Sequence, residues 1–382
     1  MAEKERRVLV LGGGAGGLAA AVVAAEAGAR VRICEKENRV GRKLLKTGNG
    51  RCNLTNDHLS PAGYNRPEFV APLLGVAGPA ELRAWFGTLG LLTVSDEEGR
   101  VYPRSDTASS VLDVLRLRCA ALGVEECCSR EAVALAPEKG GWRADFRDGG
   151  VERADAVIVA CGGGSRLLES CGVALTPFTP ILCPLKTDTE PIKGLSGLRV
   201  KAAVSLRRRG EEIFSEAGEV LFRDFGVSGI VILNASRYAK AGDELVLDLL
   251  PDMTREETAA LLRQRLALLG REELFTGLFH RRVGEALRRS VRSGSPEALA
   301  GAVKEFTLSV TGKGDPSSAQ VTRGGARTEQ FDPLTLECKE RPGLYAIGEA
   351  LDIDGRCGGY NLHWAFVSGL VAGHSVGGNA HG

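Results

Sequence analysis

The chain has 382 residues, which is enough for two or three compact domains. Hydrophobic residues make up 43% and charged residues 25%, the balance of an ordinary soluble globular protein. The formal net charge of +1 argues against a partner bound mainly by electrostatics, so we expect neither nucleic acid nor a membrane as a partner.

The amino-terminal segment and the cysteines predict a cytoplasmic protein. Residues 1–7 contain no apolar signal-peptide core, and no apolar run is long enough to cross a membrane. The ten cysteines include no CxxC pair, and Cys34 and Cys161 lie in apolar strand-like runs, where thiols pack as small hydrophobic groups. We therefore expect reduced thiols, no disulfide framework and no metal site.

The first elements predict a βαβ unit. Residues 7–11 form a short apolar strand, residues 18–27 an alanine-rich helix, and residues 29–34 a second strand. Residues 12–17, between the first strand and the helix, read GGGAGG and fit the pattern GxGxxG. A glycine motif in this position is typical of dinucleotide-binding proteins.

Each glycine of this motif has its own physical role. Gly12 allows the tight turn, Gly14 lets the backbone approach a pyrophosphate, and Gly17 lets the helix pack closely on the strand. The N–H groups at the helix start, around Ala15 and Gly16, attract the anion.

An acidic residue completes the nucleotide signature. Glu35 follows the second strand, 23 residues after Gly12, where a carboxylate accepts hydrogen bonds from a ribose diol, and Lys36 follows it. The carboxylate disfavours a 2′-phosphate there, so we do not expect NADP in this particular site. The motif alone does not choose between FAD and NAD.

The rest of the chain predicts a parallel-sheet domain with an insertion. We expect helices at 78–90 and 107–121, a buried strand at 154–160, a final strand at 344–347 and a final helix at 361–374. Short alternating strands are expected from about 183 to 250, and helices from 254 to 306. The fold class is therefore α/β: a Rossmann-type domain interrupted by an insertion with a β-barrel-like part and a helical part. The expected domains are residues 1–185 and 326–382 for the Rossmann part, 186–252 and 303–325 for the β-rich part, and 253–302 for the helical part.

Two long motifs carry a family resemblance. Residues 41–56 read GRKLLKTGNGRCNLTN, and the tail carries GEALDIDGRCGGYNL at 348–362. These motifs resemble the flavoprotein family that includes the BaiN-type bile-acid enone reductases and the aminoacetone oxidases. The resemblance is close at both ends of the chain and looser in the middle. It implies FAD as the cofactor.

The glycine motif and the resemblance together give the predicted cofactor-binding residues. Beyond Gly12, Gly14, Ala15, Gly16, Gly17, Glu35 and Lys36, they are Gly41, Arg42, Lys43, Gly48, Asn49, Gly50, Cys52, Asn53, Val133, Ala160, Cys161, Gly162, Gly348, Glu349, Asp352, Gly359, Tyr360, Asn361 and Leu362. Glu349 and Asp352 are expected near the ribityl chain and the pyrophosphate. The helix that starts near Gly359 is expected to point its N–H groups at the pyrimidine edge of the flavin, where negative charge grows on reduction.

The chain departs from the family in three places. The Gly/Thr-rich stretch that usually follows the strand at 154–160 is missing after Gly164. Residues 221–230 read LFRDFGVSGI where the family has LFTHxGxSGP, and His363 stands where glutamine is common. The family's substrates are therefore not carried over to this chain.

We expect hydride transfer through flavin N5 to or from a small organic substrate held beneath the insertion. Only one dinucleotide motif exists, so NAD(P)H is expected to dock transiently as the electron donor. Candidates for the catalytic acid are Tyr360, His363 and Tyr102, with packing as the alternative role for His363. Arg100 or Arg104 could clamp an anionic substrate or brace its loop.

Other functions stay open at this point. An amine oxidase that uses O2 is the main alternative to an NAD(P)H-dependent enone reductase. A flavin-dependent tRNA-modifying enzyme would be expected to show a basic, aromatic-rich surface, and a flavin sensor would not need so large an insertion. The sequence does not predict the substrate or the oligomeric state.

Overall fold

The structure is a computed structural model that describes residues 5–378. They belong to two compact units: one extends to Thr179 and resumes at Val321, and the other spans Pro180–Gln320. The helices are α1 Ala15–Glu26, α2 Pro67–Val76, α3 Pro79–Thr88, α4 Ala108–Ala121, α5 Ile230–Ala235, α6 Arg255–Leu269, α7 Arg281–Arg289, α8 Pro296–Lys304 and α9 Tyr360–Gly378.

The longest strands, β13 and β14, lie in the second unit. They are β1 Arg7–Leu11, β2 Arg30–Cys34, β3 Thr55–Asn56, β4 Thr93–Ser95, β5 Arg100–Pro103, β6 Glu125–Cys127, β7 Ala132–Glu138, β8 Gly141–Phe146, β9 Val151–Ala154, β10 Ala156–Val159, β11 Leu175–Ile181, β12 Leu185–Thr187, β13 Arg199–Arg208, β14 Glu211–Arg223, β15 Gly226–Ser228, β16 Glu244–Asp248, β17 Phe306–Lys313, β18 Val321–Ala326, β19 Glu337–Cys338 and β20 Arg341–Ala346.

The first unit is built on a six-stranded sheet in the order β19-β20-β10-β1-β2-β6. All its strands are parallel except β19, which pairs with β20 in the antiparallel sense. Leu11 is in register with Cys34 of β2 and with Val159 of β10, so these strands end at the same edge. Because the carboxyl edge of a parallel sheet is where α/β proteins bind ligands, this register positions the site.

Helix α1 is buried on nearly all sides, which explains its small residues. It packs on the sheet and against α9, and a Cβ added at Gly369 would lie only 2.4 Å from the carbonyl oxygen of Gly16. Glycine and alanine at the crossing let the two backbones approach closely. Because nearly every side of α1 is buried, its sequence is apolar on all faces instead of amphipathic.

The second unit contains a closed six-stranded barrel in the order β12-β15-β14-β13-β16-β17, together with α5–α8. Helix α6 begins with a capping box, in which Thr254 and Glu257 satisfy each other's backbone N–H groups. These elements confirm the predicted fold class: a Rossmann-type parallel-sheet domain with an insertion that has a barrel part and a helical part. None of the helices within residues 5–378 is long and apolar enough to span a membrane.

Candidate cofactor-binding site

Half of the predicted cofactor-binding residues lie after parallel strands, at the carboxyl edge of the sheet. They are Gly12, Gly14, Ala15, Gly16 and Gly17 after β1, Glu35 and Lys36 after β2, Ala160, Cys161 and Gly162 after β10, and Gly348, Glu349 and Asp352 after β20. The rest lie in the loop between β2 and β3 and at the start of α9, except Val133, which lies on β7 and is 44% exposed.

The glycine turn after β1 combines tight packing with open space. Gly12 has φ +112°, and a Cβ there would lie 2.4 Å from the carbonyl oxygen of Ala160. A Cβ at Gly17 would lie 2.0 Å from the carbonyl oxygen of Gly12, whereas nothing lies within 4 Å of a Cβ at Gly14. No side chain caps the start of α1 at Gly14. The turn thus has N–H groups that no side chain caps, and the space beside Gly14 is open. This combination fits a pyrophosphate.

Glu35 is held at the edge of this turn by two backbone bonds. Its Oε2 accepts the N–H of Gly13 at 2.7 Å, and its Oε1 accepts the N–H of Glu37 at 2.9 Å. An oriented, half-buried carboxylate beside the phosphate turn suits a ribose diol.

Glu349 connects three segments that are far apart in the sequence. Its carboxylate accepts from Lys43 Nζ at 2.9 Å and from the N–H of Gly163 at 3.2 Å. It therefore connects the end of β20 to the loop between β2 and β3 and to the residues after β10.

Cys161, which follows β10, is a packed thiol. Its Sγ donates to the carbonyl oxygen of Leu11 at 3.3 Å. Burial raises the pKa of Cys161 to about 11, so its thiol stays protonated and packs.

The loop between β2 and β3 contains an unusual run of left-handed residues. Gly48, Asn49 and Gly50 have φ of +55°, +57° and +86°, and Cys52 follows with +60°. A side chain at positive φ is strained, and such strain is concentrated at functional sites. Cys52 is fully buried, and burial raises its pKa to about 12, so it is a packed thiol.

The two signature motifs contact each other directly. With its amide oriented to satisfy its neighbours, Asn53 accepts the N–H of Gly359 at 3.0 Å and donates to the carbonyl oxygen of Thr55 at 2.8 Å. Gly359 has φ +99°, and a Cβ there would lie 2.3 Å from the same carbonyl oxygen. Thr55 Oγ1 shares a hydrogen bond of 2.8 Å with Nδ1 of His363. The start of α9 is thereby fixed against the loop.

Asp352 has a different role from the one we expected. It is 2% exposed, and its Oδ2 accepts from Arg66 at 2.8 Å and from the hydroxyl of Thr176 at 3.1 Å, while Asn65 donates to Oδ1. These partners leave the carboxylate facing protein atoms, so it anchors the loop before α9. A role for Asp352 at the ribityl chain stays a prediction, and these contacts give it a structural role in addition. Arg66, Thr176 and Asn65 give no local sequence signal, because only the tertiary fold brings them to Asp352.

Tyr360, predicted as a candidate catalytic acid, lies in a packed environment. It is 2% exposed, and its hydroxyl donates to the carbonyl oxygen of His58 at 3.4 Å. Its neighbour Asn361 bonds both the N–H and the carbonyl oxygen of Gly355 at 2.8 Å. These two side chains close the turn before α9.

His363 is also enclosed. It is 0% exposed, and burial lowers its pKa to about 4, opposed in part by the backbone of Ala77. The imidazole is therefore neutral at pH 7 and bonded to Thr55. This environment favours the packing role that the sequence analysis left open.

Tyr102 differs from the other two catalytic candidates. Its ring is 7% exposed, lies against Gly48 and carries the Arg51 guanidinium 4.1 Å above its centroid. Arg51 is held there by Asp106 at 2.5 Å. Within residues 5–378 the phenol oxygen makes no hydrogen bond, and burial raises its pKa. Tyr102 therefore presents a protonated, unbonded hydroxyl next to the left-handed loop.

The two arginines near Tyr102 have separate environments. Arg100 pairs with Asp96 at 2.7 Å and with Glu98, so it braces its own loop. Arg104 is exposed and makes no ion pair with any residue that the structure describes. Of these two arginines, Arg104 is the one whose charge no acidic residue within 5–378 pairs.

The fold and this site define a class: the Rossmann-type flavoprotein oxidoreductases. The chain belongs to the HI0933-like protein Rossmann domain family, whose model matches residues 6–375.

Relatives of known function match over nearly the whole chain. The 3-dehydro-bile acid delta(4,6)-reductase of Clostridium scindens is 34% identical, over 97% of this chain and 98% of the relative. The ribosomal RNA dihydrouridine synthase of Escherichia coli is 27% identical, over 94% of this chain and 95% of the relative, and that of Haemophilus influenzae is 24% identical, over 96% and 98%.

Solved structures match less closely. A flavocytochrome c3 fumarate reductase in its open conformation aligns with a TM-score of 0.48 and 16% identity, over 100% of this chain and 80% of that one. The 3-ketosteroid-delta4-(5alpha)-dehydrogenase of Rhodococcus jostii aligns with a TM-score of 0.48 and 16% identity, over 98% and 97%.

Proposed function

We propose that this protein is an FAD-dependent reductase that adds hydrogen across a C=C bond conjugated to a carbonyl group, with NAD(P)H as the electron donor. The names of the relatives support this reaction type. A delta(4,6)-reductase acting on a 3-dehydro bile acid saturates bonds conjugated to a ketone. A dihydrouridine synthase saturates the ring C=C of uridine, which is conjugated to a ring carbonyl. The shared step is the addition of a hydride and a proton to an electron-poor double bond.

The observation that carries the FAD assignment is the cradle around Gly14. The open space beside Gly14, the uncapped start of α1 and the oriented Glu35 together fit an adenosine diphosphate group. Glu349 and Lys43 would hold the chain that follows, and the loop at Asn53 with the start of α9 would hold the ring. When bound and reduced by NAD(P)H, FAD would supply a hydride from N5.

Tyr102 is the proton donor in this proposal. Reduction of a conjugated C=C requires a proton at the carbon next to the carbonyl, and a positioned side chain delivers it. The phenol of Tyr102 stays protonated because burial raises its pKa, and it makes no hydrogen bond to the described residues. Tyr360 is less suited to this role because its hydroxyl donates to the carbonyl oxygen of His58, and His363 because burial lowers its pKa and leaves the imidazole neutral at pH 7.

Reduction of uridine in ribosomal RNA is a second candidate, favoured by the two relatives that carry this name over nearly their whole length. Three of the four arginines of α7 do not add to it, and the fourth, Arg281, is exposed and lies 3.7 Å from Glu285. Arg289 donates to the carbonyl oxygen of Lys193 at 3.0 Å, Arg282 to that of Gly194 at 3.4 Å, and Arg288 to that of Glu272. These side chains support the fold of the second unit and do not form an open basic surface.

Half-reactions under anaerobic conditions test the proposal. The FAD-loaded protein is mixed with NADH or NADPH, and the reduced protein is then offered a 3-oxo-Δ4 steroid, uridine-containing ribosomal RNA fragments, or air. The proposal expects bleaching by a nicotinamide and rapid reoxidation by the steroid, with two hydrogens gained in the product mass. Bleaching by primary amines alone would indicate the oxidase, and reoxidation by RNA alone would indicate the second candidate.

A further inference from the structure

The phenol ring of Tyr102 carries a cation on one of its faces. The Arg51 guanidinium lies 4.1 Å from the ring centroid, and a Cβ added at Gly48 would lie 3.8 Å from the ring atom Cε1. Only 7% of Tyr102 is exposed. The left-handed loop and the guanidinium therefore hold the ring in one plane.

Asp106 fixes the guanidinium above the ring. Its Oδ1 accepts from Nε of Arg51 at 2.5 Å, and the backbone N–H of Arg51 donates to the carbonyl oxygen of Gly48 at 3.1 Å. The side chains of Arg51 and Asp106 are 47% and 58% exposed. Because exposed ion pairs contribute little to stability, the main consequence of this pair is the place where it puts the guanidinium.

The backbone at both partners has an unfavourable conformation. Asp106 has φ +56°, and Cys52, the residue after Arg51, has φ +60°. Side chains disfavour this left-handed region, and such strain is concentrated at functional sites. This observation is independent of the ring contact and points to the same ion pair.

We propose that Arg51 is a positioning residue for the proton donor: its guanidinium holds the Tyr102 ring in one plane and stabilises the phenolate that remains after proton transfer. This inference rests on the proposed function. A phenolate attracts a cation above its ring more strongly than a neutral phenol does, so the contact makes Tyr102 a stronger acid. A stronger acid transfers its proton faster when it is protonated at the working pH.

The step that Arg51 assists is the second half of the reduction. Once a hydride from the NAD(P)H-reduced flavin has added to the β-carbon of a conjugated ketone, the substrate is an enolate. The O–H bond of Tyr102 then breaks, a C–H bond forms at the α-carbon, and the electron pair left on the phenol oxygen makes a phenolate. Water returns a proton to Tyr102.

Other charged groups also face the phenol. Burial raises the pKa of Tyr102, and the carboxylates of Asp96 and Glu98 add to this effect. Arg100, which pairs with both acids, lowers the pKa of Tyr102, and so does Arg51. Of these two cations, Arg51 is the one that acts from the face of the ring.

The test is Arg51→Met in the FAD-loaded protein, with Arg51→Gln as a second neutral variant. The five tyrosines are replaced by 3-fluorotyrosine, which is more acidic than tyrosine, and fluorine NMR follows their titration. The Tyr102 signal is the one that Tyr102→Phe lacks. We expect the acid dissociation constant of this phenol to fall about two- to fivefold in both neutral variants and to stay closer to the wild-type value in Arg51→Lys, which keeps the charge.

Stopped-flow kinetics give a second readout. Reoxidation of the reduced flavin by a saturating conjugated ketone should slow at least about twofold in the neutral variants, while flavin reduction by NADH and the FAD content stay unchanged. The matched control is Arg153→Met, which removes an exposed arginine paired with Glu138 at 2.8 Å. It should change neither the titration of Tyr102 nor the rate.

Each other outcome has a definite meaning. An unchanged titration of Tyr102 in the neutral variants overturns the role of Arg51, and a higher KM for the ketone with that unchanged titration assigns the cation to substrate binding instead. A changed titration with wild-type reoxidation also overturns it if Tyr102→Phe is slow. If the titration changes but Tyr102→Phe itself reoxidises at the wild-type rate, the Arg51 contact stands and the proposed proton donor fails.

Discussion

Thr55 Oγ1 and His363 Nδ1 share a hydrogen bond of 2.8 Å although the two residues are 308 positions apart. Both side chains are 0% exposed. The bond joins the amino-terminal signature motif to the helix that follows the carboxyl-terminal one. Together with the Asn53–Gly359 contact, it makes the two motifs a single structural unit.

Thr55→Val removes this hydrogen bond while keeping the shape of the side chain. His363 Nδ1 then loses its partner in a dry environment, and we expect the free energy of unfolding to fall by about 1–3 kcal/mol. Urea denaturation measures this change. Thr88→Val, at an exposed hydroxyl that bonds the carbonyl oxygen of Trp85, is the control and should stay near the wild-type value. Equal stability of the two variants would contradict the role of the bond.

His363 also predicts a pH dependence of stability. Burial lowers its pKa from 6.5 to about 4, so between these values the unfolded chain binds a proton that the folded chain does not. The contribution of His363 to the free energy of unfolding is complete above pH 6.5. It decreases as the pH falls towards 4, by up to about 3 kcal/mol in total. Denaturation curves at pH 7 and pH 5 for the wild type and His363→Gln measure it. The variant should lose less stability than the wild type between pH 7 and pH 5. An equal loss in both proteins would show that His363 does not cause this pH dependence.

Gly14 and Gly17 should respond to substitution in opposite ways. A side chain at Gly14 enters open space, so Gly14→Val should leave the stability of the FAD-free protein within about 1 kcal/mol but weaken FAD binding at least about tenfold. A methyl group at Gly17 meets the Gly12 carbonyl oxygen at 2.0 Å, so Gly17→Ala should destabilise the FAD-free protein by about 3 kcal/mol. Thermal unfolding and FAD titration separate the two effects. Wild-type FAD affinity in Gly14→Val would contradict the proposal that the turn at Gly14 binds the pyrophosphate of FAD.

Local sequence signals predicted the parts of the site that local geometry determines. The GxGxxG turn and the acid after β2 depend on strand and helix periodicity and on glycine conformation, so Gly12, Gly14 and Glu35 were expected in the arrangement that the structure shows. The predicted last helix, 361–374, lies within α9, Tyr360–Gly378. Both signature motifs were assigned by resemblance to one FAD site, but the hydrogen bonds that join them, Asn53 to Gly359 and Thr55 to His363, were not predicted.

Tertiary contacts decided the parts that the sequence did not predict. Asp352 looked like a ligand for the cofactor, yet Arg66 and Thr176 reach its carboxylate from distant segments. Tyr360 looked like a catalytic acid because it is a tyrosine in a signature motif, but its ring is buried against Gly63 and Gly355. No periodicity or spacing in one sequence reports such long-range partners.

Tyr102→Phe tests the proton donor. We expect reoxidation of the reduced flavin by a conjugated ketone to slow by about a hundredfold or more, because the transferred proton must then come from water. Reduction of the flavin by NADH should keep its wild-type rate. Stopped-flow absorbance follows both half-reactions, and Tyr238→Phe, at a 44% exposed tyrosine of the second unit, is the control. A normal reoxidation rate in Tyr102→Phe would remove Tyr102 from the chemistry.

The flavin content of the purified protein tests the central claim most directly. Denaturation releases the cofactor from the protein, and the cofactor in the supernatant is identified and quantified by chromatography against FAD, FMN and nicotinamide standards. A cradle closed by Glu35, Glu349 and the two joined motifs predicts a single FAD per chain, retained through gel filtration. A colourless protein that stays colourless after incubation with FAD would contradict the account.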